Sequence, residues 1–245
     1  TGRRERTKAQ ATPLGRPGAV GSMTSGGTES LILAMKTARD HARAHRPDVR
    51  RPNVVLPDTA HASFHKAAHY LDLELRVTPV DASFRANVDA MSDAIDDQTV
   101  MLAGSAVSYA HGVVDPIERI AALAAARGLL CHVDACIGGF VLPYFRRLGG
   151  DVPAFDLSVD GVTSISCDLH KYGFAPKGSS VILYRDAALR AHQIYACSAW
   201  SGYTVVNTTV QSTKSGGPLA GAWAALNFIG DDGYMRLFGR MYDAT

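Results

Sequence analysis

From Gly27 onward the apolar positions follow two alternating rhythms. Leu31, Ala34, Met35 and Ala38 recur at i, i+3, i+4 and i+7, the spacing of one face of a helix. Thr28 is a good N-cap type for that helix, which should fade near Arg46-Pro47. Beyond it, short apolar runs alternate with helical stretches. The runs over 53–56, 74–78, 99–103, 129–133, 161–166 and 180–184 predict strands, and helices are predicted over 60–71, 87–96, 116–127 and 217–229. Strands alternating with helices predict an α/β fold with a mainly parallel sheet between helices. No internal repeat or linker interrupts residues 21–245, so they read as one large domain. Residues 1–20, rich in Arg, Gly, Pro and Thr, read as a flexible N-terminal segment.

Composition adds limits. A chain of 245 residues with 47% hydrophobic and 20% charged residues has the make-up of an ordinary globular protein. A net charge of +2 is too small to argue for nucleic acid or an anionic membrane surface, and the local basic cluster Thr1–Lys8 reads as a solvated tail. The four cysteines form no CxxC pair, and three lie in or beside apolar runs, which fits reduced thiols and a cytoplasmic setting. No apolar run approaches the roughly 18 residues of a membrane span.

The candidate chemistry falls at the ends of predicted strands, where ligands bind in open α/β sheets. Asp134 closes the run at 129–133, Ser105 follows 99–103, and His170-Lys171 follow 161–166. A lysine downstream of an aspartate that ends an apolar run is what pyridoxal phosphate chemistry requires. The lysine holds the cofactor's aldehyde as a Schiff base, and the aspartate keeps the pyridine nitrogen protonated. Such a lysine needs a lowered pKa, supplied by partial burial and a neighbouring cation. Ser25-Gly26-Gly27-Thr28, opening the first helix, offers backbone amides and a hydroxyl to a phosphate; it matches neither the Walker nor the GxGxxG pattern. His61 is placed to stack on an aromatic ring, while His65 and His69, at i+4 and i+8, suit solvated positions better than a zinc site. Cys131, His132, Asp134 and Cys136 do not read as a metal site, because alternate strand residues face opposite ways. Tyr109 and His111 are candidate proton carriers, and no GxSxG elbow supports a Ser105-based hydrolase.

Four segments together resemble a family: Thr24–Ser30, Ala60–Ala68, His132–Phe140 and Ser164–Gly178. They resemble the pyridoxal-phosphate-dependent decarboxylases of the glutamate decarboxylase group, and within it the sphingosine-1-phosphate lyase branch, from about residue 20 to the end. The resemblance implies the fold-type I architecture and a homodimer with sites at the subunit interface. It implies phosphate contacts from Gly26, Gly27 and Thr28, with His170, Ser105 and Thr213 beside the cofactor. His61 would stack on the ring, Asp134 would pair with its nitrogen, and Lys171 would carry it. The implied reaction is carbon–carbon cleavage of a phosphorylated long-chain amino alcohol to an aldehyde and phosphoethanolamine, with Tyr109 or His111 in the proton traffic. The rival reading is an amino-acid decarboxylase using the same Lys171 and Asp134; a third is an inactive remnant acting by interaction.

The chain departs from the lyase branch at two places. Val107 stands where relatives carry Pro, and Lys214-Ser215-Gly216-Gly217 stands where they carry Arg-Pro-Gly-Gly, giving a point charge in place of a planar fork. The family's N-terminal segment and C-terminal small domain are expected to be absent from this sequence.

Overall fold

The structure, a computed structural model, describes residues 16–244. The basic cluster Thr1–Lys8 and most of the segment expected to be flexible lie outside the described residues. A seven-stranded sheet forms the centre, in the order β1-β7-β6-β5-β4-β2-β3. Its members are β1 (Val20–Thr24), β2 (Asn53–Pro57), β3 (Glu74–Thr78), β4 (Thr99–Ser105), β5 (Leu130–Asp134), β6 (Ser164–Cys167) and β7 (Ser180–Tyr184). The five strands from β6 across to β3 run parallel; β7 is antiparallel to both β6 and β1. Every residue of β2 and β4 is buried, as continuous apolar runs covered on both faces require.

Two helical layers do the covering. On one face α1 (Gly27–His45) lays Leu31, Met35, Ala38 and Ala42 against β2 and β4, beside α2 (Ser63–Leu71). On the other, α3 (Val88–Asp93), α4 (Ile117–Ala126), α5 (Gly138–Arg147) and α7 (Gly217–Tyr242) enclose a larger core containing Ile117, Ile120, Phe155 and Phe238. A short α6 (Ala187–Ala191) and a small hairpin, β8 (Tyr195–Cys197) with β9 (Val205–Asn207), follow the sheet.

Two predicted strands, 74–78 and 180–184, have the observed bounds, and the others differ at their ends. The consequential difference is that Ser105 and Asp134 are the last residues of β4 and β5 instead of lying just beyond the strands. The predicted helix at 217–229 continues to Tyr242, with a non-helical Gly230 (φ 63°) kinking it at the expected end. Strands β1, β8 and β9 and helices α5 and α6 were not predicted. β1 is an edge strand whose sequence, Val-Gly-Ser-Met-Thr, has no apolar alternation, and α5 opens on a glycine pair and contains Pro143.

Parallel register sets the site. Ser105 is level with Asp134 across β4 and β5, and Asp134 is level with Ser166 across β5 and β6. Three polar residues therefore stand in a row at the carboxyl edge of the sheet, where α1 begins.

Candidate active site

A cleft of about 440 Å³ opens at that edge. Its walls include Ser25, Gly26, Gly27 and Thr28 from the start of α1, His61 from the approach to α2, and Ser105, Val107 and Tyr109 from the end of β4 and beyond. Asp134 lines it from the end of β5 and Cys136 from just beyond, and Asp168, His170 and Lys171 from the turn after β6. His111 and Thr213 are not among these walls. His111 stacks on Phe84 with ring centres 4.2 Å apart, and Thr213 is exposed. Tyr109 stands at the mouth, 71% exposed.

Lys171 Nζ makes an ion pair with Asp168 Oδ2 at 3.1 Å, and His170 Nε2 lies 3.4 Å from the same oxygen. Burial pulls the Lys171 ammonium down, but the Asp168 carboxylate more than offsets it and the net shift is upward from the ordinary lysine value. The expectation of a lowered pKa is thus corrected: the charge paired with the lysine is the Asp168 carboxylate, an anion instead of a cation. His170 is pushed down by burial, and its Nδ1 accepts from the backbone N–H of Ser179. Asp168 is 2% exposed, and its Oδ1 has no hydrogen-bond partner. Nothing in the sequence pattern marks Asp168 for a role of its own.

Asp134 is held from behind. Its Oδ1 accepts from the Cys136 backbone N–H at 3.1 Å and from Ser166 Oγ at 3.3 Å. Ser166 Oγ lies 3.4 Å from His132 Nε2, and His132 Nδ1 lies 2.8 Å from Ser164 Oγ. His132 is fully buried, which pushes its pKa down to about 4. A neutral imidazole flanked by two serines therefore backs the carboxylate.

The start of α1 is organised by its own polar residues. No side chain caps the helix, so its first amides lack a side-chain acceptor, and Gly26, Gly27 and Thr28 line the cleft. A Cβ on Gly27 would come 2.7 Å from Cys136 Sγ and 3.1 Å from Asp168 Oδ2, so only glycine fits there. Buried Glu29 accepts from the N–H groups of Ser25, at 2.6 Å, and Val210, at 3.0 Å, tying the loop to the segment after β9. Thr28 Oγ1 bonds Ser63 Oγ at 2.8 Å, and Ser63 Oγ lies 2.9 Å from His61 Nδ1. The Ser63 N–H also donates to His61 Nδ1, fixing the ring's orientation. Lys214 points elsewhere: its ammonium donates to the Met23 carbonyl.

These residues fit pyridoxal phosphate. The uncapped helix end and Gly27 leave room for a phosphate, the Lys171 amine and the Asp134 carboxylate both line the cleft, and the unpartnered Asp168 Oδ1 is the kind of buried atom a bound polar group satisfies.

A mostly parallel seven-stranded sheet with a lysine, an aspartate and a phosphate-sized cradle at its carboxyl edge defines a fold-type I pyridoxal-phosphate enzyme. The pyridoxal-dependent decarboxylase conserved domain matches residues 6–211, and the chain belongs to that family. It is 46% identical over 225 residues to a sphingosine-1-phosphate lyase of Arabidopsis thaliana, covering 92% of this chain and 41% of that protein. It superposes on a sphingosine-1-phosphate lyase of Burkholderia pseudomallei with a TM-score of 0.88 at 42% identity, covering 90% of this chain and 51% of that one. A glutamate decarboxylase of Lactobacillus brevis shares the fold with a TM-score of 0.81 at 23% identity, covering 98% of this chain and 57% of that one. The chain thus spans about half the length of these relatives or less. Among the described residues, no helix is long and apolar enough to cross a membrane.

Proposed function

We propose that residues 21–245 form the cofactor-binding large domain of a pyridoxal-phosphate-dependent carbon–carbon lyase. Its substrate is a phosphorylated long-chain amino alcohol, cleaved to an aldehyde and a phosphorylated amine. The carrying observation is that Lys171, Asp134 and His61 converge on one cleft above an uncapped helix end, in a chain 46% identical to a protein of that activity.

Lys171 would hold the cofactor's aldehyde. Gly26, Gly27 and Thr28 at the start of α1 would hold its phosphate, His61 would hold its ring, and Asp134 would be the partner of its ring nitrogen. Ser105 and His170 flank the group. When bound, the cofactor supplies an electron sink for the bond that breaks. The remaining work belongs to side chains. His132 and Ser166 keep Asp134 aimed, Asp168 holds the Lys171 ammonium when it is not engaged, and Tyr109 at the mouth is placed to take the proton of the substrate hydroxyl. His111 and Thr213 take no part in this arrangement as the chain is folded here.

We place the enzyme in the cytoplasm, in keeping with its free cysteines, and propose that it works as a homodimer. Leu219, Trp223 and Phe228 on α7 are more than half exposed, as a face awaiting a partner would be. Amino-acid decarboxylation is the second reading; its support is that, among the described residues, Lys171 and His170 are the only cationic or imidazole side chains on the cleft walls besides His61.

The test is to add pyridoxal phosphate to the purified chain and follow its absorbance in wild type and Lys171→Ala, then to supply a phosphorylated long-chain base or amino acids. A lysine-dependent absorbance change with aldehyde release supports the lyase; carbon dioxide release instead selects the decarboxylase. Cofactor binding with neither product rejects both for this chain and leaves the interaction reading.

A further inference from the structure

The far end of α1 carries three histidines that the cofactor cleft does not use. His41 and His45 sit one turn apart on the same face of the helix, and His192 reaches them from the segment between α6 and β8. One ring nitrogen from each lies within 4.8 Å of the other two. The rings are mutually packed: His41 and His45 are 4.3 Å apart, and His192 stands edge-on to them at 5.1 and 5.3 Å.

We propose that His41, His45 and His192 form a binding site for a divalent transition-metal ion of the zinc class, separate from the cofactor site.

Three features carry this. First, the nitrogens are available. His45 Nδ1 is turned back to the His41 carbonyl, at 2.9 Å, which points Nε2 outward, and no hydrogen bond engages the ring nitrogens of His41 or His192 among the described residues. Second, the scaffold already brings the ligands together. Lys36 Nζ donates to the carbonyls of His192, at 2.8 Å, and Ile194, at 3.3 Å, while pairing with Asp40 at 3.0 Å. This clamp fixes the His192 segment to α1 whether or not an ion is present. Third, the ligand chemistry is right. Three imidazoles suit zinc, nickel or copper far better than calcium or magnesium.

Tetrahedral zinc–nitrogen bonds of roughly 2.0–2.1 Å place the nitrogens about 3.3 Å apart, so from separations within 4.8 Å they draw together by at most about 1.5 Å, within reach of side-chain rotation. The open cleft beside the cluster, bordered by Arg16, Arg185 and Asp186, leaves a fourth position for water or an external ligand. The site is about 20 Å along α1 from Thr28, at 1.5 Å per residue, so its ion does not touch the reaction centre. Its effect would be to pin the C-terminal half of α1 to the chain beyond α6.

The experiment uses the chelator-stripped, pyridoxal-phosphate-saturated chain. Zn²⁺ binding is measured by calorimetry and Co²⁺ binding by visible absorbance. One ion per chain is expected, with the spectrum of nitrogen and oxygen ligands. His45→Ala and His192→Ala should each weaken binding by roughly 10-fold or more, and Zn²⁺ should raise the melting temperature of wild type but of neither variant. His65→Ala, on an exposed position of α2, should behave as wild type. His45 is exposed, so its loss leaves the core intact, and metal-free melting curves verify this. Undiminished affinity in both variants, absence of binding to wild type, or a thiolate-to-cobalt absorption assigning the ion to Cys197 would each overturn the proposal.

Discussion

Lys171 Nζ lies 3.1 Å from Asp168 Oδ2, and Asp168 is itself almost wholly buried. The carboxylate thus serves as the counter-ion of the lysine that the cofactor must claim. Because Asp168 raises the lysine's folded-state pKa above the ordinary 10.5, the pair's contribution to stability is complete below that value and is lost as pH rises through the higher folded one. Asp168→Asn should cost on the order of 1 kcal/mol at neutral pH and flatten the alkaline limb of the stability curve. Urea unfolding of the cofactor-free chain from neutral pH to above 10.5 measures both. An unchanged alkaline limb would show that the pair does not stabilise the fold.

Gly27 packs where a side chain has no room. Alanine there would press on Cys136 Sγ and on both oxygens of Asp168. Overpacking of this kind costs about 1–3 kcal/mol, and it would also push the first turn of α1 away from any phosphate it holds. Gly27→Ala should therefore lose stability and pyridoxal phosphate affinity together, read by denaturant melts and cofactor titration. Adding Cys136→Ala should restore part of the stability. Equal affinity in Gly27→Ala and wild type would separate the loop's packing from cofactor binding.

The parts of the site that lie within one segment were legible in the sequence; the parts that depend on register were not. Asp134 stands out because a carboxylate closes an apolar run, and Gly27-Thr28 because a glycine pair precedes a helical face. The His132–Ser166–Asp134 chain is invisible along the sequence, since it exists only because β5 and β6 pair with Asp134 level with Ser166. The Asp168–Lys171 pair depends on an irregular turn with no periodicity to read. Tyr109 and His111 are two residues apart, yet one lines the cleft and the other stacks on Phe84, because the chain turns between them. Glu29 carries no signal along the sequence, and only the fold reveals that it accepts from the N–H groups of residues 25 and 210.

His132 gives that hidden chain a pH signature. Its folded pKa, about 4, lies below the ordinary 6.5, so the unfolded chain takes up a proton first as pH falls. The stability linked to this residue is complete above 6.5 and is lost as pH drops toward about 4, at up to about 1.4 kcal/mol per pH unit. His132→Gln should make the acid limb shallower over that window while lowering stability at neutral pH, because Ser164 and Ser166 lose their buried partner. Thermal melts across the window test it. A parallel acid limb in both proteins would mean that His132 does not stay neutral on folding.

Helix α7 reaches the turn after Lys171 through the Tyr234 hydroxyl and through rings stacked on Phe174. Tyr234 OH donates to the Gly173 carbonyl at 2.7 Å, two residues past Lys171, and its ring packs against Phe238, which is fully buried. Removing the hydroxyl and removing the packing should therefore act differently. Tyr234→Phe leaves the core filled and should cost about 0.5–1.5 kcal/mol; its distinguishing effect should be faster cofactor loss, since the turn carrying Lys171 is freed at one point. Phe238→Ala opens a cavity beside Phe174, on which the Phe238 ring stacks at 6.0 Å, and should cost about 3–5 kcal/mol; it leaves the Tyr234–Gly173 bond in place, so cofactor loss should change less than in Tyr234→Phe in the folded population. Urea melts, paired with the rate at which bound pyridoxal phosphate leaves after dilution, distinguish the two. If cofactor loss tracked stability alone across both variants, the Tyr234–Gly173 bond would be only a part of the core.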